Sequence, residues 1–400
     1  MKHQRQQDIL RIISTLDISP KMFTTAIERY EHLAEFLQSS GIECDIYPQG
    51  SFALGTVVRP NAKDPDAAYD LDFICQIKSN KDNVLPEALW EKIENALKSS
   101  NFYKSRLEIF DKCFTIHYAD IGDAPFSIDI VPAADESSYT KAILAKKSNR
   151  PDLIPTAIAI PVKPDYDWVT NNPKGYRKWF DEINASFQEY GREEFRRALF
   201  AANRSVYNKI EDIPVELERS QLQRVIQILK RHRDYYYIKL KDGDNLKPIS
   251  AIISTFVAEI AKSQPANISI YELLALVLAE YKIYSNRQVD IANSFEQRFP
   301  DKNLIQKEGE KWIMDNPANP DDNLLDAWNT NTLIPKQFFS WIKAAHDDLI
   351  VALDLEDSQF RSLTENAFGE ELVHSVLGDK YKCAPPKPIS YPSTAKPWKE

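Results

Sequence analysis

Apolar residues follow a helical spacing early in the chain and then form short segments typical of strands. The spacing predicts helix over 5–38, interrupted at Asp17–Lys21 because proline disfavours helix at the residue before it. A further helix is predicted from about Pro86 to Lys98. The predicted strands are Glu43–Tyr47, Asp70–Ile77, Leu107–Tyr118, Phe126–Val131 and Thr156–Pro161.

From about residue 176 to 377 the apolar period is mostly helical. The strongest segments are 176–208, 217–239, 249–262, 269–283, 287–297 and 334–353. We therefore predict an α+β protein of two lobes, in which a mixed sheet faces a mainly helical lobe. The predicted units are 1–175 with the N-terminal helix, 176–383, and a tail over 384–400 whose five prolines favour extended or disordered chain.

Composition and charge narrow the classes of function. The 400 residues are 43% hydrophobic and 27% charged, as in ordinary globular proteins, and the net charge is -9. A protein that grips a long duplex usually carries a basic surplus, so long nucleic acid is not the expected partner. Four scattered cysteines without a CxxC pair argue against a zinc ribbon or disulfide framework. There is no signal peptide and no membrane-spanning apolar run, so we expect a cytoplasmic location.

Three aspartates form the strongest candidate site. Asp70 and Asp72 are two positions apart on a predicted strand, so both side chains point to one side and repel each other unless a cation lies between them. Oxygen ligands suit Mg²⁺. If the strand that holds Asp129 lies alongside, three carboxylates converge and can hold two metal ions. The alternative is that Asp70 and Asp72 face solvent on an edge strand and bind no metal. The presence of Asp129 makes this alternative less favoured.

A glycine turn precedes these acids. Gly50 follows the first predicted strand, and glycine lets a backbone approach a phosphate closely. The amides of such a turn can bind an anion, with Ser51 and Gln49 as further donors. A single Gly-Ser pair is usually only a turn. The ordered set of Gly-Ser, Asp-x-Asp and a later strand aspartate is far more specific.

These motifs carry a resemblance to known enzymes. GSFALGT, YDLDFI and SIDIVP resemble the DNA polymerase beta-like nucleotidyltransferase superfamily, whose pattern is hG[GS], [DE]h[DE]h and h[DE]h. Longer motifs resemble the bacterial cGAS/DncV-like nucleotidyltransferases (CD-NTases), relatives of cyclic GMP-AMP synthase and oligoadenylate synthetase. Across roughly residues 40–335 these are PQGSFALGTVVRP, AYDLDFICQI, FSIDIVPA, WVTNNPKGYRKWF, LQRVIQILKRHRD, KPISAIIST and NPANPDDNLLDAW.

The resemblance implies a polymerase-beta-like catalytic lobe and an oligoadenylate-synthetase-like helical region. It implies template-independent synthesis of a cyclic di- or trinucleotide from NTPs, ATP among them, in CBASS anti-phage defence. Asp70, Asp72 and Asp129 would bind two Mg²⁺ ions, for which Mn²⁺ could substitute, and Asp129 would orient or deprotonate the acceptor hydroxyl. The zinc-binding insertion of the animal DNA sensor is absent, which argues against activation by DNA.

The remaining nucleotide-binding residues are also implied by the resemblance. Gln49, Gly50 and Ser51 match the phosphate turn. Lys230 and Ser250 match positions that contact the donor triphosphate. A lysine suits a phosphate as a point charge, and Ser250 lies where a helix could begin. The alternatives for these two residues are a solvated helix lysine and an ordinary helix N-cap.

Several aromatic, asparagine, cysteine and histidine residues near these motifs can also be interpreted. Trp168, Asn171 and Asn172 are candidates for a nucleotide lid, and Tyr235–Tyr237 are read mainly as packing residues. His117 is predicted, together with Cys113, to pack in the core. No residue is assigned to reading a base.

Three other functions stay open from the sequence. An RNA-terminal transferase of the poly(A) or tRNA-end type shares the carboxylates but needs a basic track for RNA. A protein adenylyltransferase is a second alternative. An inactive nucleotide-binding regulator is the third, and the presence of all three carboxylates argues against it.

Control by a partner is a further implication of the resemblance. CD-NTases suggest a HORMA-type regulatory protein or conjugation through the last residue. The end Pro397–Glu400 is bulky and charged, which fits a narrow conjugation channel poorly. We therefore favour non-covalent control.

Overall fold

The computed structural model describes residues 1–59, 69–121, 124–202, 218–286 and 304–382. The predicted helix at 287–297 and the proline-rich tail lie outside these ranges. Within them, the sheet is built from β1 (Cys44–Pro48), β2 (Tyr69–Asn80), β3 (Leu107–Ile109), β4 (Phe114–Ile121), β5 (Ala124–Asp135), β6 (Ile158–Val162) and β7 (Asp167–Asn171).

The strands form one mixed sheet. Its order is β1-β2-β5-β4-β3, with β6 paired to the far end of β5 and β7 paired to β6. The β2–β5 pair is parallel, and the other pairs are antiparallel. The predicted mixed sheet is therefore confirmed, and β2 and β5 are neighbours in it.

The helices of the described residues flank the sheet or build the second lobe. They are α1 (Lys2–Ser14), α2 (Pro20–Ser39), α3 (Gly50–Ala53), α4 (Pro86–Ser99), α5 (Asn101–Lys104), α6 (Ser138–Lys147), α7 (Pro173–Ala202), α8 (Gln221–Tyr237), α9 (Gly243–Leu246), α10 (Ser250–Ala261), α11 (Ile270–Asn286), α12 (Asp326–Thr330), α13 (Leu333–Leu349), α14 (Asp357–Phe368) and α15 (Glu370–Leu377). Short 3₁₀ turns lie at Lys81–Asn83, Pro151–Thr156 and Val351–Asp354.

Two hydrophobic cores match the two lobes. One core joins α2 and α4 to a face of the sheet through residues such as Leu33, Trp90 and Phe73. The larger core joins α8 to the other helices of the second lobe, with Phe256 and Trp341 fully buried. None of the described helices is long and apolar enough to cross a membrane.

The N-terminal helix α1 packs in the helical-lobe core although it precedes the sheet in the chain. Its residues Ile9, Ile12 and Ile13 belong to that core. Arg5 donates to the Leu353 carbonyl at 2.9 Å and to a carboxylate oxygen of Asp357 at 2.7 Å. The helical lobe is thus built from both ends of the described chain. The domain boundaries at 175 and 383 stay predictions.

Several local predictions needed correction. The single strand predicted over Leu107–Tyr118 is two antiparallel strands, β3 and β4, which are joined by a turn in which Phe110 N–H donates to the Cys113 carbonyl at 3.0 Å. The polar pair at 111–112 interrupts the apolar run and forms this turn. The strand β7, the helix α6 and two small hairpins (β8, Gln306–Glu308, with β9, Lys311–Ile313; β10, Asp315–Asn316, with β11, Asn319–Asn323) were not predicted.

The predicted core position of His117 is also wrong. Its side chain is 56% exposed and pairs with the Glu108 carboxylate across β3 and β4 at 2.8 Å. The residue lies on a strand face that the helices do not cover. In contrast, Tyr235 and Tyr237 are buried, as their interpretation as packing residues required.

Candidate active site

Two of the predicted carboxylates are brought together by the parallel strand pair. Asp72 on β2 is the register partner of Asp129 on β5, and neighbouring strands lie about 4.8 Å apart. Both side chains are partly exposed, whereas the flanking Leu71, Phe73 and Ile128 are almost fully buried. The two acids therefore lie side by side on the accessible face of an otherwise apolar strand pair.

The orientation of Asp129 is set by the next strand. Thr115 on β4 is its register partner on the other side, and the Thr115 hydroxyl donates to Asp129 Oδ1 at 2.6 Å. Asp70 lies two positions before Asp72, opposite Ser127 of β5. The side chain of Asp70 is outside the described part of the structure, so only its strand position bears on the site.

The glycine turn lies directly against the Asp72 carboxylate. Gln49 N–H donates to the Asp72 carbonyl at 2.8 Å, which ties the turn to β2. Gly50 has φ of +61°, and a Cβ added there would lie 2.5 Å from Asp72 Oδ2. Only glycine gives both this backbone conformation and this close approach.

An open cavity of about 530 Å³ extends from this turn into the space between the lobes. Gln49, Gly50 and Ser51 line it from one side, and Ser250 lines it from the helical lobe. Asp72, Asp129 and Lys230 do not contribute to its lining. The cavity therefore contacts the predicted phosphate turn and lies beside the carboxylate pair.

Lys230 is not a solvated helix residue, which was the alternative from the sequence. It is 7% exposed, and its Nζ donates to the Thr56 carbonyl at 3.1 Å. Burial, with repulsion from Arg233 as a second cause, lowers the pKa of Lys230 to about 8, while Asp234 and Asp72 oppose this shift. The structure thus holds a buried ammonium close enough to Asp72 to interact electrostatically with it.

Ser250 is also placed differently from an ordinary N-cap. It is the first residue of α10, whose N-cap is Ile249 without a side-chain cap. The Ser250 hydroxyl accepts a hydrogen bond from Arg233 Nη1 at 3.1 Å, and the same guanidinium nitrogen donates to the Pro248 carbonyl at 3.1 Å. Arg233 therefore orients the corner of the chain that faces the cavity, a role that sequence reasoning missed.

Asn171 and Asn172, the two asparagines that were candidates for a lid, both line the cavity. The contacts of Asn172 show that it is held in place by the protein itself. The amide nitrogen of Asn172 donates to the carbonyls of Leu153 and Ala318, and its oxygen accepts from Thr156 Oγ1 and Gly175 N–H. Asn172 is therefore a structural junction whose hydrogen-bonding capacity is used within the protein.

Two carboxylates in the cavity were not predicted. Asp322 on β11 accepts from Asn316 Nδ2 at 2.8 Å, and Asp326 at the start of α12 accepts from Asn323 Nδ2 at 2.9 Å. Each interaction uses one carboxylate oxygen. No other hydrogen bond to either carboxylate is formed by the residues that the structure describes. The motif NPANPDDNLLDAW contains both acids and was the available signal.

Comparison with known proteins finds one curated relative and several solved structures that are similar over most of the chain. No protein-family model matches the chain. A curated relative, "c-di-GMP synthase" of Roseivirga ehrenbergii, is 25% identical over 378 residues, which covers 92% of this chain and 85% of the relative. The solved CD-NTase CdnG of Bradyrhizobium diazoefficiens in complex with GTP has a TM-score of 0.65 at 21% identity, covering 93% of this chain and 98% of that one.

A second solved structure shares the fold over most of the chain. It is the Vibrio cholerae DncV cyclic AMP-GMP synthase in complex with a linear intermediate, with a TM-score of 0.53 at 15% identity, covering 83% of this chain and 71% of that one. This chain is similar in sequence to a cyclic dinucleotide synthase and shares the fold of the CD-NTases. The predicted resemblance and the two-lobed polymerase-beta-like fold are confirmed. The roles of the individual site residues in this CD-NTase-like chain stay predictions.

Proposed function

We propose that this chain joins nucleoside triphosphates into a cyclic dinucleotide or trinucleotide, with GTP among its substrates. The observation that carries the proposal is the pairing of Asp72 with Asp129 directly beside the close backbone approach of Gly50. Carboxylates beside an anion-binding turn provide the two elements that phosphoryl transfer requires, namely metal ligands and a phosphate cradle.

The residues present fit divalent metal ions. Asp72 and Asp129 supply oxygen ligands of the kind that Mg²⁺ prefers, and strand alternation adds Asp70 on the same face. We assign two Mg²⁺ ions to these three acids, with Mn²⁺ as a substitute. When bound, the ions would activate the attacking hydroxyl and neutralise charge on the phosphates.

The protein's own groups would position the reaction. Asp129, oriented by Thr115, would orient the acceptor 2′- or 3′-hydroxyl, or take its proton. The hydroxyl oxygen attacks the α-phosphorus of the donor, and pyrophosphate leaves. Ser51, Ser250 and the Lys230 ammonium would bind the triphosphate. On binding of the triphosphate, Lys230 would exchange the Thr56 carbonyl for a phosphate oxygen.

Guanine is the base that the cavity favours. Asp322 and Asp326 each have one carboxylate oxygen outside the hydrogen bonds described above. The guanine Watson–Crick edge offers two adjacent N–H donors, whereas adenine offers one donor beside an acceptor, so a carboxylate complements guanine better. The name of the curated relative, "c-di-GMP synthase", points the same way. We also propose ATP as a substrate, as the resemblance to CD-NTases implies.

Product analysis tests the proposal directly. The chain would be incubated in Mg²⁺ with each NTP and with all four together, and the products separated by chromatography and identified by mass. A cyclic product that contains guanine is expected with GTP. Homopolymer tails on RNA, nucleotide-modified protein or absence of any product would overturn the proposal.

The cellular setting remains part of the proposal. We propose CBASS anti-phage signalling and non-covalent control by a HORMA-type protein, both from the resemblance to CD-NTases. Deletion of 384–400, a segment outside the described residues, should leave basal turnover nearly intact. Loss of basal turnover by a folded deletion variant would place the tail in the catalytic machinery.

A further inference from the structure

One face of α8 donates hydrogen bonds to the chain that follows the glycine turn. Gln223 Nε2 donates to the Leu54 carbonyl at 2.9 Å, Lys230 Nζ to the Thr56 carbonyl at 3.1 Å, and Gln227 Nε2 to the Val57 carbonyl at 2.7 Å. The two glutamines are 5% and 0% exposed. The helical lobe therefore contacts the catalytic lobe through buried polar groups next to the phosphate turn.

The segment held by Gln223 is closed onto the turn itself. Leu54 N–H donates to the Gly50 carbonyl at 3.2 Å, and Thr56 N–H donates to the Ser51 carbonyl at 2.9 Å. Gly50 in turn lies against the Asp72 carboxylate. A continuous series of contacts thus runs from Gln223 through Leu54 and Gly50 to Asp72.

The approach of Gln223 is unusually close. Gly55 has φ of +65°, and a Cβ added there would lie 2.5 Å from Gln223 Nε2. The glutamine amide therefore packs against bare backbone, which leaves little freedom for the Leu54–Thr56 segment. A small displacement there would move the turn relative to Asp72.

Gln223 also serves its own helix. Its Oε1 accepts from Ser220 N–H at 2.9 Å, and Ser220 Oγ accepts from Gln223 N–H at 3.1 Å, which completes a capping box. The two ends of one side-chain amide thus have separate tasks. The oxygen caps α8, and the nitrogen holds the segment that follows the phosphate turn.

We propose that Gln223 is a positioning residue for nucleotidyl transfer, which sets the Gly50–Ser51 turn against the Asp72 carboxylate through the Leu54 carbonyl. This inference rests on the proposed function. It also gives α8 a second role. The same helix would supply the Lys230 ammonium to the triphosphate and would fix the glycine turn that faces the triphosphate.

Gln223→Glu separates the two tasks. Glutamate is a favoured capping-box residue, so the cap on α8 is kept, whereas an ionised carboxylate cannot donate to the Leu54 carbonyl. At pH 8 we expect kcat to fall about tenfold or more, because small misplacements at a reacting centre are costly. The thermal midpoint should fall as well, because the buried carboxylate faces the Leu54 carbonyl with no hydrogen to donate. Gln223→Met, which loses both tasks, should lose both kcat and thermal stability.

Gln227→Leu is the matched control. It removes a donor from the same helix face, but its acceptors are Asp17 Oδ1 and the carbonyl of Val57, which lies beyond the hydrogen-bonded loop Gly50–Thr56. It should lower the thermal midpoint and leave kcat within about twofold of the parent. Hydrogen exchange at the amides of Leu54 and Thr56 should quicken in Gln223→Glu and not in Gln227→Leu.

The outcomes are distinguishable. A parent protein that forms no nucleotide product overturns the proposed function. An active parent with a fully active Gln223→Glu variant, or with unchanged exchange at Leu54 and Thr56, overturns the positioning role alone. An equal kcat loss in Gln227→Leu would show that any weakening of this lobe contact suffices, and would also overturn it.

Discussion

The two sides of the candidate site are positioned in different ways. On the sheet side, Asp72 and Asp129 are placed by backbone register, which main-chain hydrogen bonds fix along whole strands. On the helical side, Lys230 and Ser250 are placed by single side-chain contacts to the Thr56 carbonyl and to Arg233. The sheet side is therefore expected to tolerate changes around the site, and the helical side to depend on each buried polar partner.

Loss of the strand carboxylates is expected to have the largest effect. Changing Asp70 and Asp72 together to Asn removes the proposed metal ligands and leaves the strand pairing intact, because no main-chain group changes. Turnover should fall about 10³-fold or more, since metal ions supply several kcal/mol of charge stabilisation. Product formation in Mg²⁺ and the thermal midpoint should be measured on the same preparation.

Asp120→Asn provides the control for this change. Asp120 is an exposed acid on β4 of the same sheet and is outside the proposed site. It should keep parental turnover. Full activity of the Asp70→Asn, Asp72→Asn double variant in Mg²⁺ would contradict the assignment of these residues as metal ligands.

The glycine turn is expected to show the next largest effect. Gly50→Ala would drive a Cβ to 2.5 Å from Asp72 Oδ2, and we expect turnover to fall about 100-fold from the displaced turn. Gly41→Ala is the matched control, because Gly41 has φ of +79° with nothing within 4 Å of an added Cβ.

Both alanine variants should lose about 1 kcal/mol of unfolding free energy from the left-handed backbone. Only Gly50→Ala should lose turnover, measured by initial rates at saturating GTP. Equal turnover in the two variants would show that the Gly50 contact with Asp72 has no part in the reaction.

Lys230→Ala tests the helical side. Loss of one charge-assisted contact to a phosphate costs roughly 1.5–3 kcal/mol, so KM for GTP should rise about 10- to 150-fold. Lys239→Ala, an exposed lysine just beyond the end of α8, should leave KM unchanged. An unaltered KM and kcat in Lys230→Ala would reduce Lys230 to a structural contact with Thr56.

The pH dependence is expected to be the smallest effect. The pKa of Lys230 is lowered by burial to about 8, so the charged form that binds phosphate is depleted as pH rises. KM for GTP should rise between pH 7 and 9, approaching about tenfold per pH unit above the pKa. Lys230→Ala should lack this component, and an identical pH profile in both proteins would contradict the assignment.

Lys230 should also make the free energy of unfolding depend on pH. Whereas GTP binding is expected to weaken as pH rises, the folded state is expected to become more stable. The folded-state pKa of Lys230 is below the ordinary value of 10.5. Between pH 8 and 10.5 the unfolded chain therefore binds more protons than the folded one, and this group makes the folded state more stable as pH rises. Thermal midpoints of parent and Lys230→Ala, compared across this window, isolate the contribution.

The sequence alone indicated the part of the sheet that carries the proposed metal ligands, because the relevant information is local. The alternation of side chains along β2 and β5 sets the face of the sheet on which each aspartate lies. A glycine between a strand and a helix indicates a close approach of the backbone to another group. Those patterns, with the later motifs, were sufficient for the family resemblance and the mixed sheet. The single strand predicted over 107–118 is in fact β3 and β4, and the split was missed because two polar residues in an apolar run are a weak turn signal.

Only the tertiary structure decided what surrounds the residues of the helical lobe. Lys230, Gln223 and Arg233 all lie on one helix, and helical period alone does not distinguish a solvated polar face from one buried against main-chain carbonyls. The difference depends on distant parts of the chain, since Lys230 contacts Thr56 and Gln223 contacts Leu54 at separations of 174 and 169 positions. Long-range contacts of this kind are set by the packing of the two lobes, because desolvation and hydrogen bonding of a polar group are properties of its surroundings and not of its own sequence.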